Sequence, residues 1–254
     1  MSDESRPSPP QERAGTRTAV VIPAAGRGVR LGPGAPKALR ALNGTPMLIH
    51  AVRAMAASRW VSLVVVVAPP DGAAEVKSLL DAHALPERTD FLVVPGGESR
   101  QESVRLGLEA LPPDHDIVLV HDAARPLVPV DTVDAVIEAV RDGAPAVVPA
   151  LPLADTVKEV EPAEEPGTPE PVVATPARAR LRAVQTPQGF DRATLVRAHE
   201  MVTGDVTDDA SMVEQLGPTV VVVPGHEEAF KVTRPLDLVL AEAVLARRRL
   251  NDGF

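Results

Sequence analysis

The chain has no cysteine, and its aromatic residues make up only 2% of the sequence. Without cysteine there is no disulfide, no thiolate chemistry and no cysteine-ligated zinc. Without aromatic platforms there is no base-stacking surface for single-stranded nucleic acid. Cations are in short supply as well: 26 Lys and Arg stand against 35 Asp and Glu, a formal net charge of −9. That balance argues against general binding to DNA or to an anionic membrane, since both reward excess positive charge. A phosphorylated small molecule remains possible, because its site needs only a few local cations. No apolar run approaches the ~20 residues of a membrane span. The N-terminus, MSDESRPSPPQERAGTRT, lacks the apolar core of a secretion signal. Residues 1–17 are therefore expected to be a disordered tail, and the cytoplasm is the expected location.

What the chain does have is small aliphatic residues. It is 254 residues long and 44% hydrophobic, enough for one large α/β domain or two small ones, with a core of Val, Leu and Ala. Valine-rich runs bounded by proline and glycine are expected as strands at Ala19–Ile22, Val61–Ala68, Phe91–Val94, Ile117–Val120, Ala146–Val148 and Thr219–Val223. Segments of helical spacing lie between them, at 46–57, 73–83, 98–111, 130–141, 192–201 and 236–248. Strand and helix alternating at this spacing give a Rossmann-like α/β fold, a mostly parallel sheet with helices on both faces. Such sheets bind ligands at the carboxyl ends of their strands.

The stretch Ala19–Lys37 organises the rest. A buried strand runs into Pro23-Ala24-Ala25-Gly26-Arg27-Gly28, where small residues let the backbone approach a ligand and point N–H groups at phosphate oxygens. Arg30 and Lys37 follow, so the loop suits a triphosphate. It is neither a P-loop nor a dinucleotide fingerprint, because the G-x-x-x-x-G-K-[ST] spacing and the third glycine are absent. The glycines and prolines of 27–36 suit a lid. A tight turn with surface charges is the alternative for the loop taken alone.

Two further segments fall at the same sheet edge, Gly96-Gly97 and His121–Pro126. Asp122, just after a buried strand, can hold Mg²⁺ against phosphate oxygens or can be a structural partner of Arg125. His121 is expected to be structural. Arg100 and Ser103 can contact a nucleotide, while Ser99 and Glu102 can equally form a capping box for the same helix. Residues 151–182 break the pattern. An acidic, proline-rich stretch there excludes a helix and suggests a two-stranded arm with Glu164–Pro169 at its tip, needing something to pack against. A neighbouring subunit is one such partner; a disordered linker is the other reading. Thr207 or Asp208 is expected to cap the next helix.

Taken together, PAAGRGVRLG…PK, GGESRQESVRLGL, HDAARP, DTVK, QTPQGF, TDDAS and KVTRPLDL resemble the 2-C-methyl-D-erythritol 4-phosphate cytidylyltransferases, over Val20 to about Ala246. The resemblance implies transfer of CMP from CTP to 2-C-methyl-D-erythritol 4-phosphate in isoprenoid precursor biosynthesis, with release of pyrophosphate. Arg30, Lys37 and Lys231 would be catalytic, binding phosphates and stabilising the transition state. Ala24, Ala25, Gly26, Gly97 and Ser103 would contact CTP, and Asp122 would hold Mg²⁺. Arg125, Thr156, Arg178, Thr186 and Thr207 would recognise the acceptor. It also implies one nucleotidyltransferase domain over 18–250 and a homodimer exchanging the 151–182 arm, so that Thr156 above all serves the partner's site. The chain departs from the family at Ala38, where many relatives have Gln, and at Ala229, where a polar Asn is common. A ribitol 5-phosphate or other sugar-phosphate nucleotidyltransferase, and a nucleotide-binding module without catalysis, stand as rival readings.

Overall fold

The computed structural model describes residues 16–26, 36–165, 167–204 and 206–251. The expected tail up to residue 15 and the expected lid from Arg27 to Ala35, with Arg30 in it, lie outside the described residues.

Strand β1 (Arg17–Pro23) begins within the expected tail: Arg17 is its first residue, anchored to Asp114 at 2.5 Å. Next comes a short hairpin, β2 (Ala41–Leu42) and β3 (Thr45–Pro46), that no periodicity signalled. Its turn is Asn43-Gly44, with φ of 53° and 79°, the pair of left-handed residues a tight hairpin favours. Helix α1 (Met47–Ala56), strand β4 (Val61–Ala68), helix α2 (Ala73–Asp81) and strand β5 (Asp90–Pro95) follow. Then come helix α3 (Arg100–Glu109), strand β6 (His115–Val120), helix α4 (Val130–Arg141) and strand β7 (Ala146–Pro152). The arm segment holds β8 (Glu159–Val160) paired antiparallel with β9 (Val172–Ala174), a small sheet of its own. The chain returns through β10 (Arg182–Val184) and β11 (Gln188–Asp191) into helix α5 (Arg192–Met201), helix α6 (Asp209–Gln215), strand β12 (Val220–Pro224) and helix α7 (Pro235–Asn251).

The sheet runs β12-β7-β11-β6-β1-β4-β5, with β10 on the same edge of β7 as β11. Strands β1, β4, β5, β6, β7 and β12 are parallel, while β10 and β11 run against them. The alternating side chains of β1 sort the core into two layers. Val20 and Ile22 face α1, α2 and α4, with Leu48, Val52, Leu80 and Ile137; Ala19 and Val21 face α3, α5 and α6, with Val104, Leu195 and Met212. A sheet buried on both faces requires strands that are apolar throughout, which is why the valine runs lack polar alternation. Among the described residues, no helix is long and apolar enough to cross a membrane.

The antiparallel pair carries an irregularity that shapes the site. Val184 lies opposite Ala150 and Gly189 opposite Val147, so five steps on one strand match three on its neighbour. Gln185 N still donates to Pro149 O, so the surplus is the two residues Thr186-Pro187, a bulge that interrupts the ladder. The Thr186–Pro187 peptide bond is cis.

Helix α3 lies so close to the sheet that a Cβ on Gly107 would meet Val21 Cγ1 at 2.5 Å and Val67 Cγ2 at 3.0 Å. Gly107→Ala is expected to destabilise the fold by about 1–2 kcal/mol, the overpacking cost exceeding the gain in helix propensity. Urea denaturation measures this; a variant as stable as the parent would show that α3 can lift off the sheet freely.

Candidate active site

Four segments leave the carboxyl ends of the parallel strands and converge. The first is Ala24-Ala25-Gly26 after β1. Ala24 N donates to Val67 O at 2.8 Å, which holds this segment against the end of β4. The second is Gly96-Gly97 after β5. Gly96 N donates to Ala68 O at 2.7 Å. A Cβ on Gly96 would stand 3.0 Å from Ala25 Cβ and 2.9 Å from Ser103 Oγ, so its absence lets the two loops touch. Ser103 is 2% exposed; its hydroxyl accepts from Gly97 N at 3.2 Å and donates to Ser99 O at 2.9 Å. The expected cap of α3 forms, and the same turn borders the cleft. Ser99 Oγ caps α3 by accepting from Glu102 N, Glu102 accepts from Glu98 N, and the capped turn presents Gly97, Ser103 and Arg100 to the cleft.

The third segment, His121–Arg125, follows β6. Asp122 is the centre of charge. Lys231 Nζ lies 2.8 Å from its Oδ2, Arg125 Nε 3.8 Å from the same oxygen, and Arg100 Nε 3.9 Å from its Oδ1. Burial alone would raise the pKa of this carboxyl, but Lys231, Arg100 and Arg125 hold it below the ordinary value. The fourth segment brings Lys231: Val232 N donates to Ala124 O at 2.8 Å, pinning this segment to the third.

Two clefts meet at Asp122 and share Pro23 and Gly26 with it. One, of about 210 Å³, is lined by Ala25, Gly97, Ser99, Arg100 and Ser103. The other, of about 220 Å³, is lined by Ala24, Lys37, Ala38, Ala123, Ala124 and Lys231. Of the residues expected to be catalytic or to hold nucleotide and metal, the structure therefore gathers Ala24, Ala25, Gly26, Lys37, Gly97, Ser103, Asp122 and Lys231; Arg30 lies outside the described residues.

The expected acceptor residues divide. Arg125 is close to Asp122, with its guanidinium donating to Ala229 O at 2.7 Å and Val184 O at 3.3 Å. Ala229 is fully buried, and it is its backbone carbonyl that makes this contact. Thr207 is exposed just ahead of Asp208, and Asp208 is the cap of α6, accepting from Ser211 N at 2.9 Å. Thr156 and Arg178 are on the arm, line neither cleft, and are exposed; Arg178 donates to Ala154 O.

Thr186 faces inward. Its hydroxyl accepts from Asp122 N at 3.0 Å and lies 3.0 Å from His121 Nδ1. His121 Nε2 lies 3.1 Å from Arg125 O, an acceptor, so Nε2 carries the proton and Nδ1 accepts from Thr186. The residues flanking the bulge do similar work. Gln185 bonds both His226 N and His226 O, and Gln188 bonds Asp208 Oδ2 and Ala210 N. The QTPQ motif is therefore a brace holding three loops to the sheet. Sequence reasoning missed Asp209, which is fully buried and pairs with Arg100 Nη2 at 2.8 Å. Burial raises its pKa, but the hydrogen bond from His199 and the Arg100 charge hold it below the ordinary range. The only signal in the chain is the second acid of TDDAS, which reads as an ordinary first-turn carboxylate.

Among the described residues no cluster of three or more metal-ligating side chains occurs. The donor set suits Mg²⁺ arriving with a nucleotide, which needs one or two carboxylates plus phosphate oxygens, and Asp122 at the junction supplies the carboxylate.

Comparison with known proteins agrees with this geometry. The family model described as "IspD: 2-C-methyl-D-erythritol 4-phosphate cytidylyltransferase" matches residues 18–247. A protein of that name from Streptomyces avermitilis is 90% identical over 254 residues, covering 100% of both chains. Another from Frankia casuarinae is 55% identical over 234 residues, covering 92% of this chain and 83% of its own. Among solved structures, a 2-C-methyl-D-erythritol 4-phosphate cytidylyltransferase from Thermus thermophilus superposes with a TM-score of 0.69 at 37% identity, covering 90% of this chain and 98% of its own. A 4-diphosphocytidyl-2C-methyl-D-erythritol synthase from Anaerococcus prevotii gives a TM-score of 0.76 at 27% identity, covering 91% and 99%.

The brace has a pH signature. Burial pushes the His121 pKa down to about 4, so the ring is neutral in the native state. Unfolded, it titrates near ~6.5. Between these values the unfolded state holds the extra proton, so stability is full above pH ~6.5 and falls as pH drops toward 4. His121 alone contributes about 3 kcal/mol to this loss. His50 and His115, also lowered by burial, steepen the same limb. Urea titrations at stepped pH are expected to show the slope, and His121→Asn to shallow it by about one proton; an unchanged slope would remove His121 as its source.

Proposed function

The chain belongs to the 2-C-methyl-D-erythritol 4-phosphate cytidylyltransferase family, and from that premise we propose how its clefts carry out the reaction. The activity is transfer of CMP from CTP to 2-C-methyl-D-erythritol 4-phosphate, giving 4-(cytidine 5′-diphospho)-2-C-methyl-D-erythritol and pyrophosphate on the way to isoprenoid precursors. An acceptor phosphate oxygen forms the new bond to the α-phosphorus of CTP. The bond to the β-phosphate oxygen breaks, and pyrophosphate leaves with that electron pair. No covalent enzyme intermediate is required, which suits a chain without cysteine.

The observation that supports this reading best is the junction of two clefts at one carboxylate with Lys37 and Lys231 beside it. Small residues at Ala25, Gly26 and Gly97 give the nucleotide backbone contacts, and Ser103 keeps Gly97 in place. Lys37, Lys231 and, in sequence, Arg30 supply positive charge where it accumulates on transferring phosphates. Asp122 would hold Mg²⁺ when nucleotide is bound, and the ion would offset phosphate charge. Its carboxylate also restrains Lys231, a flexible cation, in the cleft. Arg125 and Thr207 would recognise the acceptor, with Thr186 holding Asp122 in register.

Thr156 and Arg178 complete the acceptor site in a homodimer, each arm reaching the partner's cleft. Support comes from the arm itself: Val172 and Val173 are 57% and 63% exposed on its two-stranded sheet. The location that fits this reading is the cytoplasm.

The assay is pyrophosphate release with Mg²⁺ and CTP, with methylerythritol phosphate against ribitol 5-phosphate. Release is expected only with the first; release with the second alone would overturn the acceptor. Lys37→Ala and Lys231→Ala are each expected to lower kcat by about 100-fold or more; Lys37→Ala melts with the parent protein, while Lys231→Ala, which takes the nearest cation from Asp122, melts lower. Near-normal turnover in both would remove the charge-stabilisation mechanism. Mixing Lys37→Ala with Arg178→Ala subunits tests the shared site. Each is expected to be nearly inactive alone, and the mixture to regain about a quarter of parent activity through heterodimers with one intact site. No recovery after verified subunit exchange would place Arg178 in its own chain's site.

A further inference from the structure

His199 takes no part in the reaction as derived above, yet it ends a chain of charged contacts that begins in the cleft. It lies on α5, with its side chain 2% exposed. Its Nε2 is 2.9 Å from Asp209 Oδ1, and Asp209 Oδ2 is 2.8 Å from Arg100 Nη2. Arg100 lines the nucleotide cleft, with Nε 3.9 Å from Asp122 Oδ1. We propose that His199 is a positioning residue for nucleotide binding: it locks the Asp209 carboxylate so that Arg100 meets CTP in one orientation. This rests on the reading that the cleft takes CTP.

Three observations carry the inference. The first is the connectivity. Asp209 is fully buried; its Oδ1 is hydrogen-bonded to His199, and its Oδ2, which has no hydrogen-bond partner among the described residues, is held by the charge of Arg100 in an ion pair. The terminal torsion of an aspartate is broad, so one partner alone leaves the carboxylate free to swing. Two partners on opposite oxygens fix it. The second is the need for an anchor. The Arg100 side chain is 37% exposed, and a long guanidinium side chain at that exposure has many rotamers to lose when it binds an anion. Anchoring it beforehand moves that loss out of the binding step.

The third is what His199 does not do. Its other nitrogen, Nδ1, has no hydrogen-bond partner among the described residues, so the contact with Asp209 is its one directional interaction there. A residue serving only to fill the space between α3 and α5 needs no polar atom. Nε2 faces a carboxylate and so carries the proton. Asp209 itself is set in place by the start of α6, where Asp208 accepts from Ser211 N and Gln188 bonds both Asp208 and Ala210. The backbone of Asp209 is therefore fixed without His199, and the histidine governs the carboxylate alone.

The test uses the full-length protein and three substitutions. His199→Gln keeps an N–H donor near the position of Nε2. His199→Asn keeps the amide but falls short of Asp209. His199→Leu removes the donor. The expected result is that His199→Asn and His199→Leu raise KM for CTP, and Kd for CTP by calorimetry, by about five- to tenfold. In both, kcat and KM for the acceptor stay within about twofold, and His199→Gln binds CTP like the parent protein. A purely structural histidine would lower Tm and leave the KM for CTP of the folded enzyme unchanged, and that outcome overturns the proposal. If His199→Leu does not fold, the Asn and Gln pair carries the comparison. In an Arg100→Ala background, His199→Asn is expected to add nothing to the loss of CTP affinity; a full additional loss also overturns it. Failure of the parent protein to bind CTP would instead remove the cleft assignment, and the proposal with it.

Discussion

A carboxylate taken out of water must be balanced, and Asp122 is balanced by cations from three different parts of the chain. Lys231 arrives ahead of α7, Arg100 on the first turn of α3, and Arg125 from the loop of Asp122 itself. The Lys231 and Arg100 pairs join distant parts of the chain, so each reports on the placement of a whole element. The arrangement exists only when α3 is seated on the sheet through Gly107 and when Val232 is joined to Ala124. The site is thus a readout of the fold. Removing one partner from a buried ion pair costs far more than the pair contributes, because the remaining charge is stranded. Function and packing are therefore under one constraint.

The brace makes that arrangement rigid without using charge. Gln185, Thr186 and Gln188 are each at most 6% exposed, and each spends its polar atoms on a different loop. A regular strand would send alternate side chains into the two core layers, where such groups would go unsatisfied. The bulge between β10 and β11 avoids this by lifting the segment out of the ladder. One irregularity therefore fixes the backbone of Asp122, the turn at His226 and the start of α6.

Much of this was legible in the sequence because the relevant signals are local. Val61–Ala68, Val130–Arg141 and Arg192–Met201 appear with the bounds their patterns gave, since apolar period and capping residues act within a few positions. The cleft segments were legible for a similar reason: each is a run of small or polar residues directly after an apolar strand. What escaped was long-range. β11 is only four residues long and ends in Asp191, so nothing in its composition marks a strand lying between β6 and β7. Asp209 looked like a helix-start acid because its partners, Arg100 and His199, come from other helices. Thr186 was reached only through the resemblance, because the bulge that turns it inward is a property of pairing.

The same division holds at Ala229, whose carbonyl makes the contact to Arg125. A backbone group is supplied by any residue, so the contact depends on the conformation of the loop and not on the side chain. That conformation is held from outside: Glu228 is anchored to Arg248 at 2.9 Å and to Arg247, both on α7. Helix α7 therefore serves the site twice, delivering Lys231 at its entrance and bracing the loop under Arg125 from its last turns. A change in the last turns of that helix reaches Arg125 through a single carbonyl.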